Sequence, residues 1–292
     1  MADHLARTLS ADGAVRGLAA ITTDLVEEAR RRHGTLPTAT AALGRALTAA
    51  GLLGSLLKAG ERLSLEFSGD GPLGRILVDA VADGGVRGYV SRPRTHLPAR
   101  NGKLDVGGAL GRGLLCVLRI PPGNGTPYRS IVPLVSGEIG TDVASYLLES
   151  EQTPSAVGVG VFVEPDGRVA AAGGWLLQTM PGADPSAGAR LEANVEAAAA
   201  PSDLVREGLD AAGMLARLMA GFPTKVLEER PIQYRCRCTP ERVRAAIVAM
   251  GRAELRALLA DERRAEVVCE FCAARYVVEE DELRALLDGT GG

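Results

Sequence analysis

Four cysteines near the C-terminus, arranged as Cys-x-Cys and then Cys-x-x-Cys, constrain this chain more than any other feature. They are Cys236, Cys238, Cys269 and Cys272, with residues 239–268 between the two pairs. Four thiolates complete the tetrahedral coordination that zinc prefers, so a site of this kind leaves no position open for water or substrate. The pattern predicts one zinc ion held by four cysteines in a role other than metal catalysis.

The spacing of the cysteines also admits a second role, that of a thiol switch. Zinc holds cysteines as thiolates, which is the form that oxidants attack, and each pair is close enough in sequence to form a disulfide. Oxidation would expel the metal. Structural zinc contributes about 10–16 kcal/mol to the folding of small peptides, so its loss should unfold the segment around it. A purely structural zinc module is the commoner use of such a cluster, and the cysteines alone leave both roles open.

The number of cysteines and the N-terminal sequence bear on the cellular location of the protein. An odd count of five cysteines and the absence of a secretory signal in the first residues argue against a secreted disulfide framework. We expect a cytoplasmic protein whose thiols stay reduced. The fifth cysteine, Cys116, lies in the apolar run Leu114–Leu118 and is predicted to be a buried core thiol.

Charge and hydropathy give little support to nucleic-acid or membrane partners. The net charge is −3 with a pI near 5.8, whereas nucleic-acid binding normally needs a basic face. Residues 231–292 carry ten Lys or Arg and eleven Asp or Glu. A local patch of Arg235, Arg237, Arg242 and Arg244 keeps a zinc-ribbon regulator open as an alternative. No apolar run approaches the roughly 20 residues that span a bilayer.

The hydrophobic periodicity predicts an α+β protein with a mixed-sheet N-terminal domain, a helical linker and a small zinc module. We place the core domain at residues 1–180, the linker at 181–230 and the zinc module at 231–292. Alternation predicts strands near 14–22, 61–90, 112–120, 128–135, 156–163 and 168–178. Helical spacing predicts helices at Asp24–Arg32, Thr38–Ala59 and Thr141–Glu149.

Residues after Pro181 change in character, from strand patterns to Ala-rich helical sequence. One helix is predicted to begin at Ser202 and to carry an apolar stripe. The stripe consists of Leu204, Val205, Leu209, Met214, Leu215, Leu218 and Met219. Met and Leu at helical spacing usually pack into a core, but the stripe could also be a surface that is exposed only when the zinc module unfolds.

The zinc module has its own local signals. Thr239 and Pro240 are suited to cap and start a helix that runs to Met250, and Gly251 separates it from a second helix at Arg252–Ala260. A short strand is predicted at Arg275–Val278 and a terminal helix at Glu279–Leu287. The module has few large apolar residues, so zinc should supply much of its stability.

Two features that could suggest an enzyme have simpler interpretations. Residues 69–74 match G-x-G-x-x-G, but the sequence after them alternates like a strand, and Pro72 lacks the N–H that a phosphate cradle would use. A tight turn between strands is the better prediction. His4, His33 and His96 are scattered and near no obvious nucleophile. We therefore predict no catalytic residues, with a thiol oxidoreductase as the enzymatic alternative.

The cysteine pattern and several N-terminal motifs together resemble the redox-regulated heat-shock chaperone family called the 33 kDa chaperonin. The motifs are residues 15–17 (Val-Arg-Gly), 69–74 (Gly-Asp-Gly-Pro-Leu-Gly), the run 137–152 from Gly-Glu-Ile to Ser-Glu-Gln, and 172–178 (Ala-Gly-Gly-Trp-Leu-Leu-Gln). The resemblance extends over nearly the whole chain. Each N-terminal motif alone would be a weak signal, and their combination with the cysteine pattern is specific.

The resemblance implies an ATP-independent holdase that is inactive when reduced and zinc-bound. Under oxidative stress, it implies disulfides Cys236–Cys238 and Cys269–Cys272, zinc release, unfolding of the linker, and an active homodimer. The partners would be unfolding client proteins, bound through the core domain until other chaperones take over. A structural zinc module on a binding protein, a zinc-ribbon regulator and a thiol oxidoreductase are the alternatives.

Overall fold

A computed structural model describes residues 2–261 and 263–289, and the chain divides into two compact units. Unit 1 is Met1–Arg235 and unit 2 is Cys236–Gly292. The predicted start of the zinc module, 231, lies within unit 1, because residues Gln233–Tyr234 form a short strand that pairs with a strand of that unit. The predicted linker also lies within unit 1. The functional division into core, linker and switch stays a prediction.

Unit 1 contains two β-sheets and several helices, which confirms the predicted α+β class. Its strands are β1 His4–Ser10, β2 Val15–Ile21, β3 Arg62–Gly69, β4 Arg75–Val81, β5 Gly85–Val90, β6 Gly113–Ile120, β7 Tyr128–Pro133, β8 Ser155–Val163, β9 Val169–Thr179, β10 Thr224–Pro231 and β11 Gln233–Tyr234. The first sheet has the order β10-β1-β2-β9-β8, and the second has the order β11-β5-β4-β3-β6-β7. The pairings are antiparallel except for β11 with β5, which is parallel.

The helices of unit 1 fall into two groups, those of the predicted core domain and those of the predicted linker. The first group is α1 Thr23–His33, α2 Pro37–Gly54, α3 Val106–Leu110 and α4 Ile139–Glu149, and the second is α5 Pro185–Ala197, α6 Pro201–Arg206 and α7 Ala211–Leu218. Helix α2 contacts strands of both sheets, and nearly all of its residues are buried. A helix that is apolar all round belongs in a core. It ends at Gly54, earlier than the predicted Ala59, where the backbone tightens into a turn at Ser55.

The predicted single helix from Ser202 to Met219 is wrong, because the structure breaks it into α6 and α7. Gly208 adopts a left-handed conformation (φ +88°), and the Asp210 side chain accepts a hydrogen bond from Gly213 N at the start of α7. The prediction that the stripe packs into a core is confirmed. Its buried members are Leu204, Met214, Leu215, Leu218 and Met219, which pack with Trp175 against the first sheet.

The G-x-G-x-x-G segment is a turn between β3 and β4, as predicted. Gly69 N donates a hydrogen bond to Gly74 O, 3.1 Å away. A Cβ at Gly69 would lie 1.9 Å from the carbonyl oxygen of Leu110. The glycine is therefore explained by the close approach of α3, with no need for a phosphate ligand.

The buried Asp3 side chain caps α1 from outside the helix. Its two carboxylate oxygens accept hydrogen bonds from Asp24 N at 3.1 Å and Leu25 N at 2.7 Å. Burial raises the pKa of Asp3 to about 6, although these amide bonds act in the opposite direction. The folded state thus favours the protonated carboxyl more than the unfolded chain does.

We expect Asp3 to make the stability of unit 1 depend on pH. An acid whose folded pKa lies above its unfolded value near 3.8 contributes stability below pH 4 that is lost as the pH rises through about 6. Compared with Asp3→Asn, the wild type should lose about 1–3 kcal/mol of unfolding free energy between pH 4 and pH 7. Urea unfolding followed by Trp175 fluorescence measures this difference. A difference that is constant with pH would contradict the prediction.

Unit 2 is a small α+β module. Its elements are α8 Pro240–Ala249, α9 Arg252–Asp261, β12 Ala265–Val268, β13 Arg275–Val278 and α10 Glu280–Gly289. The Thr239 side chain accepts a hydrogen bond from Arg242 N and Pro240 begins α8, as predicted. Strands β12 and β13 form an antiparallel hairpin. Its core consists of Val243, Ile247, Leu255, Ala265, Val278 and Leu283.

Candidate metal centre

Two short segments of unit 2 bring the four predicted cysteines together. Cys236 and Cys238 precede α8, whose start is fixed by the Thr239 cap. Cys269 and Cys272 lie in the turn between β12 and β13. In that turn Ala273 N donates to Cys269 O at 2.7 Å, and Cys269 N donates to Ala274 O at 2.9 Å. Ala273 has a positive φ of 56°, which folds the chain back tightly enough for both sulfurs to face one point.

The sulfur positions suit tetrahedral coordination of one metal ion. All four Sγ atoms lie within 4.8 Å of one another. The Sγ atoms of Cys236 and Cys269 are 3.7 Å apart, and those of Cys238 and Cys272 are 3.3 Å apart. Metal–sulfur bonds of about 2.3 Å in a tetrahedron require sulfur separations of about 3.8 Å. A disulfide requires about 2.05 Å, so the geometry is that of four reduced ligands.

The electrostatics of the cluster also favour a bound cation. Cys272 is only 3% exposed, and the other three cysteines are half-buried. Burial raises the pKa of the Cys272 and Cys269 thiols, and neighbouring sulfurs raise that of Cys272 further. Four thiolates this close together repel one another. A divalent cation supplies the compensating charge that lets them ionise, so the donor set fits a thiolate-bound metal.

Backbone and side-chain donors surround the sulfurs. The backbone amides of Phe271 and Cys272 stabilise the Cys269 sulfur, and the amide of Ala274 stabilises that of Cys272. The hydroxyl of Tyr276 on β13 donates to Cys238 Sγ at 3.1 Å. This contact raises the pKa of Tyr276 to about 12. The contribution of Tyr276 is not predicted by the sequence, because its alignment with Cys238 depends on the hairpin.

Two of the four arginines in the predicted basic patch have acidic partners. Arg244 pairs with Glu241 and Glu282, and Arg235, which belongs to unit 1, pairs with Asp83. A guanidinium nitrogen of Arg242 donates to the backbone oxygen of Arg237 at 2.9 Å. These contacts weaken the case for a phosphate-binding surface at these residues.

The prediction for Cys116 is wrong, because this thiol is half-buried and lies outside the core. Leu115 and Val117 occupy the core face of β6, and alternation along the strand turns Cys116 to the opposite face. There its Sγ accepts a hydrogen bond from Arg129 Nε at 3.3 Å. Cys116 is not one of the four clustered cysteines.

Each histidine has a hydrogen-bond partner that explains it structurally. His4 Nε2 accepts from Ala211 N at 3.3 Å, and His33 Nε2 lies 3.4 Å from the Tyr234 hydroxyl. His96 Nδ1 lies 3.0 Å from Thr38 Oγ1. These partners lie in different parts of unit 1, so the three rings do not assemble into one site.

Among the described residues, no helix is both long and apolar enough to cross a membrane.

Comparison with known proteins gives a consistent result over nearly the whole chain. The family described as Hsp33 protein matches residues 3–279. The 33 kDa chaperonin of Geobacter sp. (strain M21) is 45% identical over 287 residues, covering 98% of this chain and 97% of its own. That of Staphylococcus aureus (strain JH9) is 40% identical, covering 98% of both chains. The crystal structure of the 33 kDa chaperonin from Thermotoga maritima superposes with a TM-score of 0.93 at 37% identity, covering 99% of each chain.

Proposed function

Since this chain belongs to the Hsp33 family of chaperones, we propose that it is a redox-regulated, ATP-independent holdase whose four cysteines hold zinc in the inactive state. The observation that carries the proposal is the cluster of four reduced sulfurs within 4.8 Å, at the positions that the sequence predicts. Zinc bound there would keep all four sulfurs as thiolates. The proposed partners are unfolding client proteins, and the proposed location is the cytoplasm, where thiols stay reduced.

Oxidation is proposed to convert the site into two disulfides, Cys236–Cys238 and Cys269–Cys272. In each pair, one thiolate attacks a peroxide, forming an S–O bond as the O–O bond breaks and hydroxide leaves. The second thiolate then attacks the sulfenic sulfur, forming the disulfide and releasing a second hydroxide. Each pair thereby loses two electrons to one peroxide molecule, and its two sulfurs cease to be metal ligands.

Loss of the ligands should unfold unit 2, because its own apolar core is small. Among the residues of unit 2 whose burial the structure describes, six form the buried part of that core, and Ala265 is one of them. Cys236 follows Arg235 directly, so unit 2 is connected to unit 1 immediately after β11. We propose that the linker helices then detach from the first sheet, and that the active form is a homodimer.

The contacts that hold the linker helices in place are consistent with an attachment that can be released on oxidation. In α5, only Ala187 and Leu191 are buried. Much of the remaining attachment is polar, because Asn194 Nδ2 donates to Leu218 O and Ala220 O, both at 3.0 Å. Hydrogen bonds of this kind contribute about 1 kcal/mol each. The sheet beneath α6 and α7, which includes Ile21, Trp175 and Leu177, is apolar and could bind clients once uncovered.

The test of this function combines zinc content with suppression of client aggregation. Reduced protein should contain one zinc per chain and leave the light scattering of a heat-denatured client unchanged. After peroxide at mildly raised temperature, zinc should be released and aggregation suppressed without ATP, and dithiothreitol should reverse both. Zinc retained, or lost without a gain in holdase activity, would identify the site as a structural zinc module.

A further inference from the structure

We propose that the Tyr276 hydroxyl restrains the Cys238 sulfur and thereby sets the oxidant threshold of the metal site. This inference rests on the proposed redox function and assigns a specific residue to its regulation. It starts from one contact, the hydrogen bond of 3.1 Å from the Tyr276 hydroxyl to Cys238 Sγ. Tyr276 is a positioning residue in this scheme, because it acts through the reacting sulfur.

The hairpin holds the Tyr276 ring in place. Tyr276 pairs with Val267 across β12 and β13, and it packs against the core of unit 2. It shares one strand face with Val278, which is 4% exposed, while Arg275 and Val277 on the other face are exposed. A ring fixed in this way can deliver its hydroxyl to the sulfur at little further entropic cost.

This donor reaches the first cysteine pair from a distant part of the chain. In the Cys-x-x-Cys turn the sulfurs of Cys269 and Cys272 are stabilised by local backbone amides. The Cys238 sulfur instead accepts a hydrogen bond from the hydroxyl of a residue 38 positions away. The bond therefore ties the Cys-x-Cys segment to the hairpin and depends on the fold of unit 2.

A hydrogen bond to a metal-bound sulfur has two effects. It withdraws electron density from the sulfur and so makes it a weaker nucleophile toward peroxide. It also orients the ligand, and losing such an outer contact typically lowers metal affinity about 10–100-fold. Both effects act in the same direction, so the Tyr276 hydroxyl should keep the site reduced and metal-bound at low oxidant levels.

The test is Tyr276→Phe in the full-length, zinc-loaded protein, which removes the hydroxyl and keeps the ring. Zinc release after peroxide addition is followed with a chromogenic chelator, and we expect a rate constant roughly three- to tenfold higher than that of the wild type. A sulfenic-acid probe and peptide mass spectrometry then report which cysteine reacts. Modification should increase at Cys238 first.

Tyr128→Phe is the matched control, since it removes a hydroxyl from a half-exposed tyrosine in unit 1. Its rate should equal that of the wild type. Equal rates for Tyr276→Phe and the wild type would overturn the inference, and so would a uniform increase at all four cysteines, which indicates general loosening of unit 2. If peroxide releases no zinc even from the wild type, the proposed redox function itself fails.

Discussion

Cys272→Ser should abolish tight zinc binding, unfold unit 2 and release the linker helices, while the β-sheets of unit 1 stay folded. Cys272 is the most deeply buried of the four proposed ligands, so its substitution would remove one of four metal bonds and leave a polar hydroxyl in its place. Because structural zinc contributes about 10–16 kcal/mol to small modules and the core of unit 2 is small, the remaining contacts should not maintain the fold. We expect this variant to suppress client aggregation without any oxidant.

Hydrogen exchange and zinc analysis measure this outcome together. Backbone amides of α8, α9, β12, β13 and α10 should lose protection, while those of β2 and β9 in unit 1 keep it. Cys116→Ser is the matched control, because it makes the same chemical change at a cysteine outside the cluster. Protection retained throughout unit 2 of the zinc-free variant would show that its apolar core suffices without the metal.

The four-cysteine cluster was predictable from sequence because residue identity and spacing are local properties. All four cysteines were assigned from the sequence alone, and the structure brings them together. The Tyr276 contact was not predictable in the same way, since it requires β12 and β13 to pair in one register. The arrangement of donors around the sulfurs therefore emerges only from the tertiary structure.

Strand predictions also fail where the strand is defined by pairing with a distant part of the chain. Strand β1 was missed because it mixes His4 and Arg7 with apolar residues, and β10 because it is an exposed edge strand rich in charge. They pair with each other across more than 200 positions, from His4 with Pro231 to Ser10 with Thr224. Pairing at that separation leaves no local signal. Strands β3 and β4, joined by a short turn, alternate clearly and were predicted.

Cys116 shows that the burial of a residue can be mispredicted even when its strand is predicted correctly. The apolar run 114–118 was identified as a strand, but both faces of it carry apolar side chains, including Leu114, which is 49% exposed. Hydrophobicity alone then cannot tell which face is buried. The burial of Leu115 and Val117 decides the question in the folded protein.

The second large effect should come from the linker, where Leu215→Asp is expected to detach α7 from the first sheet. Leu215 is 1% exposed and packs above Gly17, where an added Cβ would lie 2.8 Å from its side chain. An unpaired carboxylate in this position loses the apolar contacts and adds the desolvation of a charge, which together should cost at least about 3 kcal/mol. That is enough to favour release of a helix of eight residues.

Trp175 provides a direct readout of this release, because it is the only tryptophan in the sequence and is 6% exposed within the same cluster. Its emission should shift to longer wavelength in reduced, zinc-loaded Leu215→Asp, and client aggregation should be suppressed without oxidant. Leu148→Asp, the same change at a leucine of α4 that is 56% exposed, should leave both unchanged. A red shift without holdase activity would mean that clients bind elsewhere. If both changes occur while zinc stays bound, uncovering the sheet is sufficient for activity, and the role of the cysteines is to control when that happens.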